Sequence, residues 1–350
     1  MRQGDSIFYL QYQKGDFKMR KWYQYIAVGC LAAAVSLGVA GCGDDGESTA
    51  SADQVVIYSN ADPEVQDAIK HALDNNGYEG KYLLQSFGTS ELGGKLVAEG
   101  KNIEADVVTM STYYIDSAQQ KNHMFADLTF DAQTIKECSP YYRPTTGQFG
   151  SIFVNTEVLQ KENLPMPASI KDLAKPIYKN KIALPDIMGS STAWLLAQAV
   201  FDAYGEEAGS KIMKALDDNA GPHMEKSGSG PLKKVKAGEV AIGFGLRHQA
   251  LLEQKKGLPI QIVDPVEGNF FLTEGVAVID KQDSKKKELA MKIAACIIKK
   301  ARPEVLKNYP MALYEGETVD KAQEPAYPKQ YKEPLTVDLL KKHQQLIKGK

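Results

Sequence analysis

Three short stretches place hydroxyl side chains where helices are expected to begin: Thr89-Ser90, Ser190-Ser191-Thr192 and Ser227-Gly228-Ser229. A helix start leaves backbone N–H groups without intrahelical acceptors and carries the positive end of the peptide dipoles, so each stretch is a candidate oxyanion site. Three together point to a ligand with several anionic oxygens. Each is also a sequence that serves as a plain helix cap. The third lies in KSGSGPLKKVKAGEVAIGFGLRH, Lys226 to His248. There Pro231 suits a first helical position, the short helix ends at Ala237-Gly238, and Val240 to Phe244 reads as a buried strand. Arg247 and His248 follow just past its carboxyl end, where α/β proteins hold ligands, and Arg247 offers a bidentate contact to an anion. An ammonium on the same ligand needs a carboxylate, for which Glu91, Asp186, Glu267 and Glu274 are the candidates.

Enzyme chemistry finds no support. The sequence has no G-x-S-x-G, no H-E-x-x-H, no phosphate-binding Walker loop and no CxxC pair. The histidines at 71, 123, 223, 248 and 343 show no metal-ligand spacing, so no metal and no cofactor is expected. The adjacent tyrosines Tyr113-Tyr114 and Tyr141-Tyr142 suit aromatic packing or cleft lining better than iron ligation.

The elements that position these residues alternate. Gln54–Ser59 is a strand that delivers Ser59 and Asn60, followed by an amphipathic helix to Leu73. Lys81–Gln85 is a second strand, leading into a helix capped by Thr89 or Ser90 that stops at Gly100. Ala105–Thr109 is a third, with Ser111 at its end. This βαβαβ pattern implies a parallel sheet with crossover helices. A second unit begins near Gly147, with strands at Gly150–Asn155, Lys181–Leu184, Val240–Phe244 and Pro259–Val263, and a helix Ala193–Tyr204 capped by Ser190, Ser191 or Thr192. The apolar run ending at Ile279 is long enough to cross back, and a helix Lys285–Lys300 follows. The pattern is α/β with two lobes: residues 54–146 and 273–315 form the first, 147–272 the second, and 316–350 pack on either. A cleft between lobes is the expected ligand site.

At 350 residues the chain is long enough for two such units, and its net charge of −2 gives no footprint for nucleic acid. The N-terminus is more specific. Arg20-Lys21 precede an apolar run from Ile26 to Ala40, too short and wrongly flanked for a spanning helix but suited to a secretory signal. Residues 19–41 read as that signal, with Met19 a natural start and 1–18 an extension or misplaced start. Residues 1–41 carry five Lys/Arg against two Asp/Glu, so the chain from Cys42 has a net charge of about −5. Residues 42–53 read as anchor and flexible tether. In the exported compartment Cys138 and Cys296 are free to pair or to stay apart.

The Val39-Ala40-Gly41-Cys42 end resembles the lipobox of bacterial lipoproteins, which implies lipidation at Cys42 and a place on the outer face of the cell membrane. VVIYSN, SFGTSEL, EADVV, FVNTEVL, ASIKDL, KPIYKNKIALPD and SGSGPLKKVKAGEVAIGFG together resemble the extracellular solute-binding proteins of ABC importers, in the branch with iron(III)- and 2-aminoethylphosphonate-binding members. The resemblance covers about Gln54 to Tyr314. It implies a type II periplasmic-binding-protein fold with a hinge, a monomer, no catalysis, and delivery of a small anionic or zwitterionic ligand to a membrane permease. Iron-binding members carry adjacent tyrosines where this chain has Gly245-Leu246-Arg247-His248, and a histidine where it has Asn60. Both departures argue against iron, and the SGSGP loop with PIQIVDPVEG is more similar to the phosphonate- and sugar-phosphate-type members. The resemblance therefore implies a phosphonate or phosphate ester, with iron(III), thiamine or a polyamine as the alternative cargo; a surface hydrolase or a ligand-presenting sensor component ranks below these. The ligand set implied is Ser59, Asn60, Thr89, Ser90, Glu91, Ser111, Ser190, Ser191, Thr192, Ser227, Gly228, Ser229, Arg247, His248 and Glu267.

Overall fold

A computed structural model of the chain describes residues 51–349. The predicted signal peptide, Cys42 and most of the tether lie outside the described residues. The chain enters the fold through β1 (Val55–Ser59), whose five residues are all buried. Such a run, without alternation, is what a strand covered on both faces requires. α1 (Pro63–Leu73) opens with proline at its first position and turns Val65, Ala68, Ile69, Ala72 and Leu73 inward. β2 (Tyr82–Ser86), α2 (Thr89–Glu99), β3 (Val107–Ser111) and α3 (Thr112–Asn122) complete the expected parallel unit, β1 pairing in parallel with both β2 and β3.

After the two-residue β4 (Phe125–Ala126) comes β5 (Tyr142–Asn155), eight residues longer at its start than the expected strand. Its first half, YRPTTGQ, lacks apolar alternation but is ordered by antiparallel pairing with a later strand, a long-range contact that local pattern does not report. α4 (Thr156–Lys161), β6 (Ile182–Pro185), α5 (Ser191–Ala220), β7 (Met224–Glu225), α6 (Gly230–Lys236), β8 (Ile242–Leu246), α7 (Arg247–Lys255) and β9 (Ile260–Val263) build the second half. β10 (Asn269–Ile279) then returns beside β5, with Thr273 opposite Gly147. The sheet runs β2-β1-β3-β10-β5-β8-β6-β7, with β9 on the remaining edge of β5. This is a mixed, curled α/β sheet in which two long strands pass between two sets of βα units, the two-lobed type II arrangement.

α5 runs thirty residues, but Gly205 interrupts it at φ 73°, so the expected end at Tyr204 is a kink. On α2, a Cβ at Gly93 would fall 2.3 Å from the Tyr114 ring, so that glycine lets α3 pack close; Gly94 has nothing within 4 Å. α8 (Ser284–Cys296), α9 (Arg302–Asn308) and the two-residue β11 (Pro328–Lys329) lead to α10 (Val337–Lys348), an amphipathic helix that the Lys-rich sequence had concealed. The C-terminal segment touches both sets of elements: Val337 N–H donates to Ser117 Oγ on α3, and Gln344 Nε2 to the Ile187 carbonyl. Cys138 and Cys296 are separate thiols.

α10 also supplies the acceptor for the largest core side chain. Trp194 Nε1 donates to His343 Nδ1 at 2.9 Å, both groups being buried. Burial, with Lys342 adding to it, pushes the His343 imidazole down to about 4. The neutral ring is therefore favoured by folding, a contribution present above the ordinary histidine pKa and lost as pH falls from 6.5 toward 4. His343→Ala is expected to cost about 1–3 kcal/mol by leaving the indole N–H unsatisfied, and to flatten the stability loss between pH 6.5 and 4. Urea denaturation across that range measures both.

Candidate functional site

The three hydroxyl loops meet. A cleft of about 300 Å³ is lined by Asn60 and Asp62 after β1, Gly88 and Thr89 at the start of α2, Ser190 to Thr192 at the start of α5, and Ser227 to Ser229 before α6. The local sequence explains each wall. At α2 the N-cap is Gly88, so Thr89 and Ser90 are the first helical residues and not the cap expected of them. Thr89 Oγ1 instead accepts a hydrogen bond from Asn60 Nδ2 at 3.1 Å. At α5, Ser190 is the cap, its Oγ accepting from the Thr192 N–H at 3.2 Å. α6 starts at Gly230, one residue before Pro231, and spans only about two turns. What that loop offers the cleft is its hydroxyls and backbone more than a helix dipole.

Two lysines, Lys226 and Lys233, extend into the same space. Two carboxyls share that lining, and Lys233 is near enough to Asp62 for its charge to act on it. Glu274 on β10 is buried at 6% exposure and accepts from Asn60 Nδ2 at 3.1 Å. Burial, and then the charge of Asp62, push its carboxyl up to about 8. Burial and the neighbouring Glu64 likewise push Asp62 up to about 6. At neutral pH Glu274 is therefore mostly protonated. Anion donors and a poised carboxyl in one cleft suit a zwitterion.

Several residues expected in the site lie elsewhere. Arg247 does not reach the cleft: it is 8% exposed and forms a bidentate pair with Asp264, Nε to Oδ1 at 2.8 Å and Nη2 to Oδ2 at 3.2 Å. The strand that should present it ends at Leu246, and Arg247 begins α7 with its side chain turned into protein. His248 is buried against Tyr309, ring centroids 3.9 Å apart, and burial pushes its imidazole down to about 3. Glu267 serves the backbone, accepting from the Ile170 and Lys171 N–H groups at 2.9 Å each and from the Tyr204 hydroxyl. Ser59 is enclosed and accepts from Thr109 Oγ1 at 2.7 Å. Ser111 is buried opposite Glu274 in the β3–β10 register.

Glu91 is exposed outside the cleft, 3.4 Å from the Gly88 N–H, and Asp186 caps the Met188 N–H. Ser90 Oγ donates to the Met188 carbonyl at 2.9 Å, joining the two rims. Asn60, Thr89, Ser190, Ser191, Thr192, Ser227, Gly228 and Ser229 do converge on the cleft, joined by Asp62, Gln148, Lys226, Lys233 and Glu274. Of these additions only Glu274 carried a sequence signal, as a carboxylate in a crossing strand. A larger cavity, about 480 Å³, is lined by Ile135, Phe149, Phe271, Met311 and Leu313 together with Lys136, Glu137 and Lys329, and none of the three hydroxyl loops reaches it. Tyr113 and Tyr114 pack in the core, Tyr113 against Trp194.

Residues 100–335 match the bacterial extracellular solute-binding protein family. The Fe(3+)-binding periplasmic protein of Serratia marcescens is 31% identical over 222 residues, 60% of this chain and 62% of that protein. Among solved structures, the periplasmic binding protein AfuA from Actinobacillus pleuropneumoniae, with fructose-6-phosphate bound, superposes with a TM-score of 0.64 at 20% identity, covering 85% of this chain and 98% of that one. A periplasmic thiamin binding protein gives 0.68 at 19% identity over 84% and 94%. These neighbours are named as binding proteins. No helix among the described residues is long and apolar enough to cross a membrane. The chain belongs to the bacterial extracellular solute-binding protein family.

Proposed function

We propose that this protein is the substrate-binding lipoprotein of an ABC importer, held to the outer face of the membrane through Cys42, and that its cargo is a small phosphonate or phosphate ester bearing an ammonium, 2-aminoethylphosphonate in type. The observation that carries this reading is the convergence of the α2 and α5 starts on one cleft that Ser227–Ser229, two lysines and Glu274 also line. Backbone N–H groups and hydroxyls take the phosphoryl oxygens, Lys226 and Lys233 add charge, and Glu274 takes the ammonium. Residues 54–146 with 273–315 form one jaw and 147–272 the other, closing on the ligand before delivery to the permease.

The protonation state of Glu274 makes the reading testable. An ammonium binds the ionised carboxylate, so binding draws a proton off a group that titrates near 8. Affinity for 2-aminoethylphosphonate is expected to rise between pH 6.5 and 8 by up to about tenfold per unit. Glu274→Gln removes that component of the rise, and methylphosphonate, lacking the amine, never shows it. Calorimetric titration of both ligands at several pH values measures this. Before it, a thermal-shift panel of 2-aminoethylphosphonate, methylphosphonate, phosphate, hexose phosphates, iron(III) citrate, thiamine and spermidine sets the class. A ligand at a hundred times its Kd adds about 2.7 kcal/mol, a shift of several degrees. A shift with iron or spermidine alone overturns the phosphonate reading.

A further inference from the structure

Beside the cleft, two acidic residues at the start of α1 and one histidine of α7 converge, although His248 lies 184 positions after Glu64. Asp62 caps α1, Glu64 is in its first turn, and His248 is the second residue of α7. One carboxylate oxygen of each acid and one ring nitrogen of His248 all lie within 4.8 Å of one another. The two carboxylates share their donors: Tyr309 Oη is 3.1 Å from Asp62 Oδ2 and 3.2 Å from Glu64 Oε1, and Gln249 Nε2 is 3.3 and 3.2 Å from the same atoms. Lys233 also acts on Asp62, but burial and the charge of Glu64 outweigh it, so the two like charges are left under-compensated.

The histidine is the independent observation. His248 is 5% exposed, and neither Nδ1 nor Nε2 has a hydrogen-bond partner. A buried polar group without a partner is costly, and an imidazole aimed at two carboxylates with no proton shared between them is a ligand set short of its ion. Its ring face is fixed against Tyr309, and an open cavity of about 440 Å³ leads from solvent to Asp62 and Glu64.

We infer that Asp62, Glu64 and His248 form a binding site for a divalent first-row cation, zinc in type, seated between α1 and α7. One imidazole and two carboxylates leave one position of a tetrahedral ion open to water, and Tyr309 with Gln249 become the outer groups that orient the carboxylates. The ion ties a helix that follows β1 to a helix that follows β8, on opposite sides of the crossing strands, so it clamps the two halves of the sheet together. Asp62 also lines the ligand cleft, which places the ion next to the cargo. The site does not depend on the identity of that cargo.

Zinc chloride titrated calorimetrically into the purified protein, with no phosphonate or phosphate present, tests this. The wild type is expected to take up one equivalent with micromolar or tighter affinity. His248→Phe keeps the ring contact with Tyr309 and removes the donor; Glu64→Gln keeps the shape and removes the charge. Each is expected to weaken uptake by at least about tenfold, with zinc-free melting curves establishing that each is folded; if one fails to fold, the other decides. Absence of one-equivalent uptake by the wild type, or its retention by a folded variant of either kind, overturns the site.

Discussion

Arg247→Ala is expected to destabilise the protein by about 3–5 kcal/mol, the cost of breaking a buried ion pair and leaving its partner unpaired. Asp264 is the hub that would be left. Its carboxylate accepts from Arg247 through both oxygens, from Ser151 Oγ and Asn269 Nδ2 at 3.0 Å each, and from the Ala326 N–H at 2.9 Å. Arg247 Nη1 also donates to the Gln323 carbonyl, so one guanidinium joins α7, the loop after β9 and the C-terminal segment. Burial alone would push the Asp264 carboxyl up, but the hydrogen bonds from Arg247 and Ala326 outweigh it and hold the carboxyl below its usual range. The pair's contribution is therefore present above the unfolded carboxylate pKa and is lost as pH falls through the depressed folded value.

In Arg247→Ala that acid-side loss should shrink. The paired variant Arg247→Met with Asp264→Asn should recover part of the stability, because no buried charge then remains. Urea denaturation of the three proteins at pH 7 and pH 4 decides. Unchanged stability with lost ligand affinity would return Arg247 to the binding site.

Arg247 also shows where reading from sequence stops. A helix start is a local device: the residue types at Ser190–Thr192 and Ser227–Ser229 set which backbone donors are free, and these stretches do reach one cleft. The strand preceding Arg247 was equally legible, but nothing within several residues of it foretells Asp264, Gln323 or the turn into α7. The same holds for Glu267, whose residue type is plain but whose two backbone donors, Ile170 and Lys171, lie almost a hundred residues earlier. A carboxylate before Pro63 is an ordinary helix start, so Asp62 carries no local mark of a site residue; only packing brings it to Glu274 and His248. The fold was readable further than the site because parallel strands and crossover helices are written in short apolar periods. Where pairing was long-range and the segment polar, as in Tyr142–Gln148, the pattern failed in the fold too.

Gly228→Ala is expected to lower ligand affinity by about ten- to a hundredfold, the scale of losing a hydrogen bond to a charged group. A Cβ at Gly228 would stand 2.0 Å from Thr192 Oγ1 and 2.8 Å from Thr192 Cβ, where ordinary contact begins at 3.4 Å. Thr192 is in the first turn of α5 and buried, so it has no room to give. The loop must move outward by more than an ångström, taking the Ser227 and Ser229 hydroxyls away from the α5 start that they share the cleft with. Its other side is held as well: the Gly228 carbonyl lies 3.0 Å from where a Cβ at Gly245 would be, so loop, helix and β8 are in mutual contact through two glycines. Overpacking there costs about 1–3 kcal/mol of stability, less than the fold contains. Gly94→Ala on α2 is the matched control, since nothing lies within 4 Å of its added methyl. It is expected to stabilise by about 0.5–1 kcal/mol through helix propensity and to leave affinity unchanged. Titration calorimetry with the cargo found in the thermal-shift panel, on folded Gly228→Ala and Gly94→Ala, separates the two. If Gly228→Ala binds as the wild type does, the Ser227–Ser229 loop is not part of the ligand wall, and the anion must be held by the α2 and α5 starts alone.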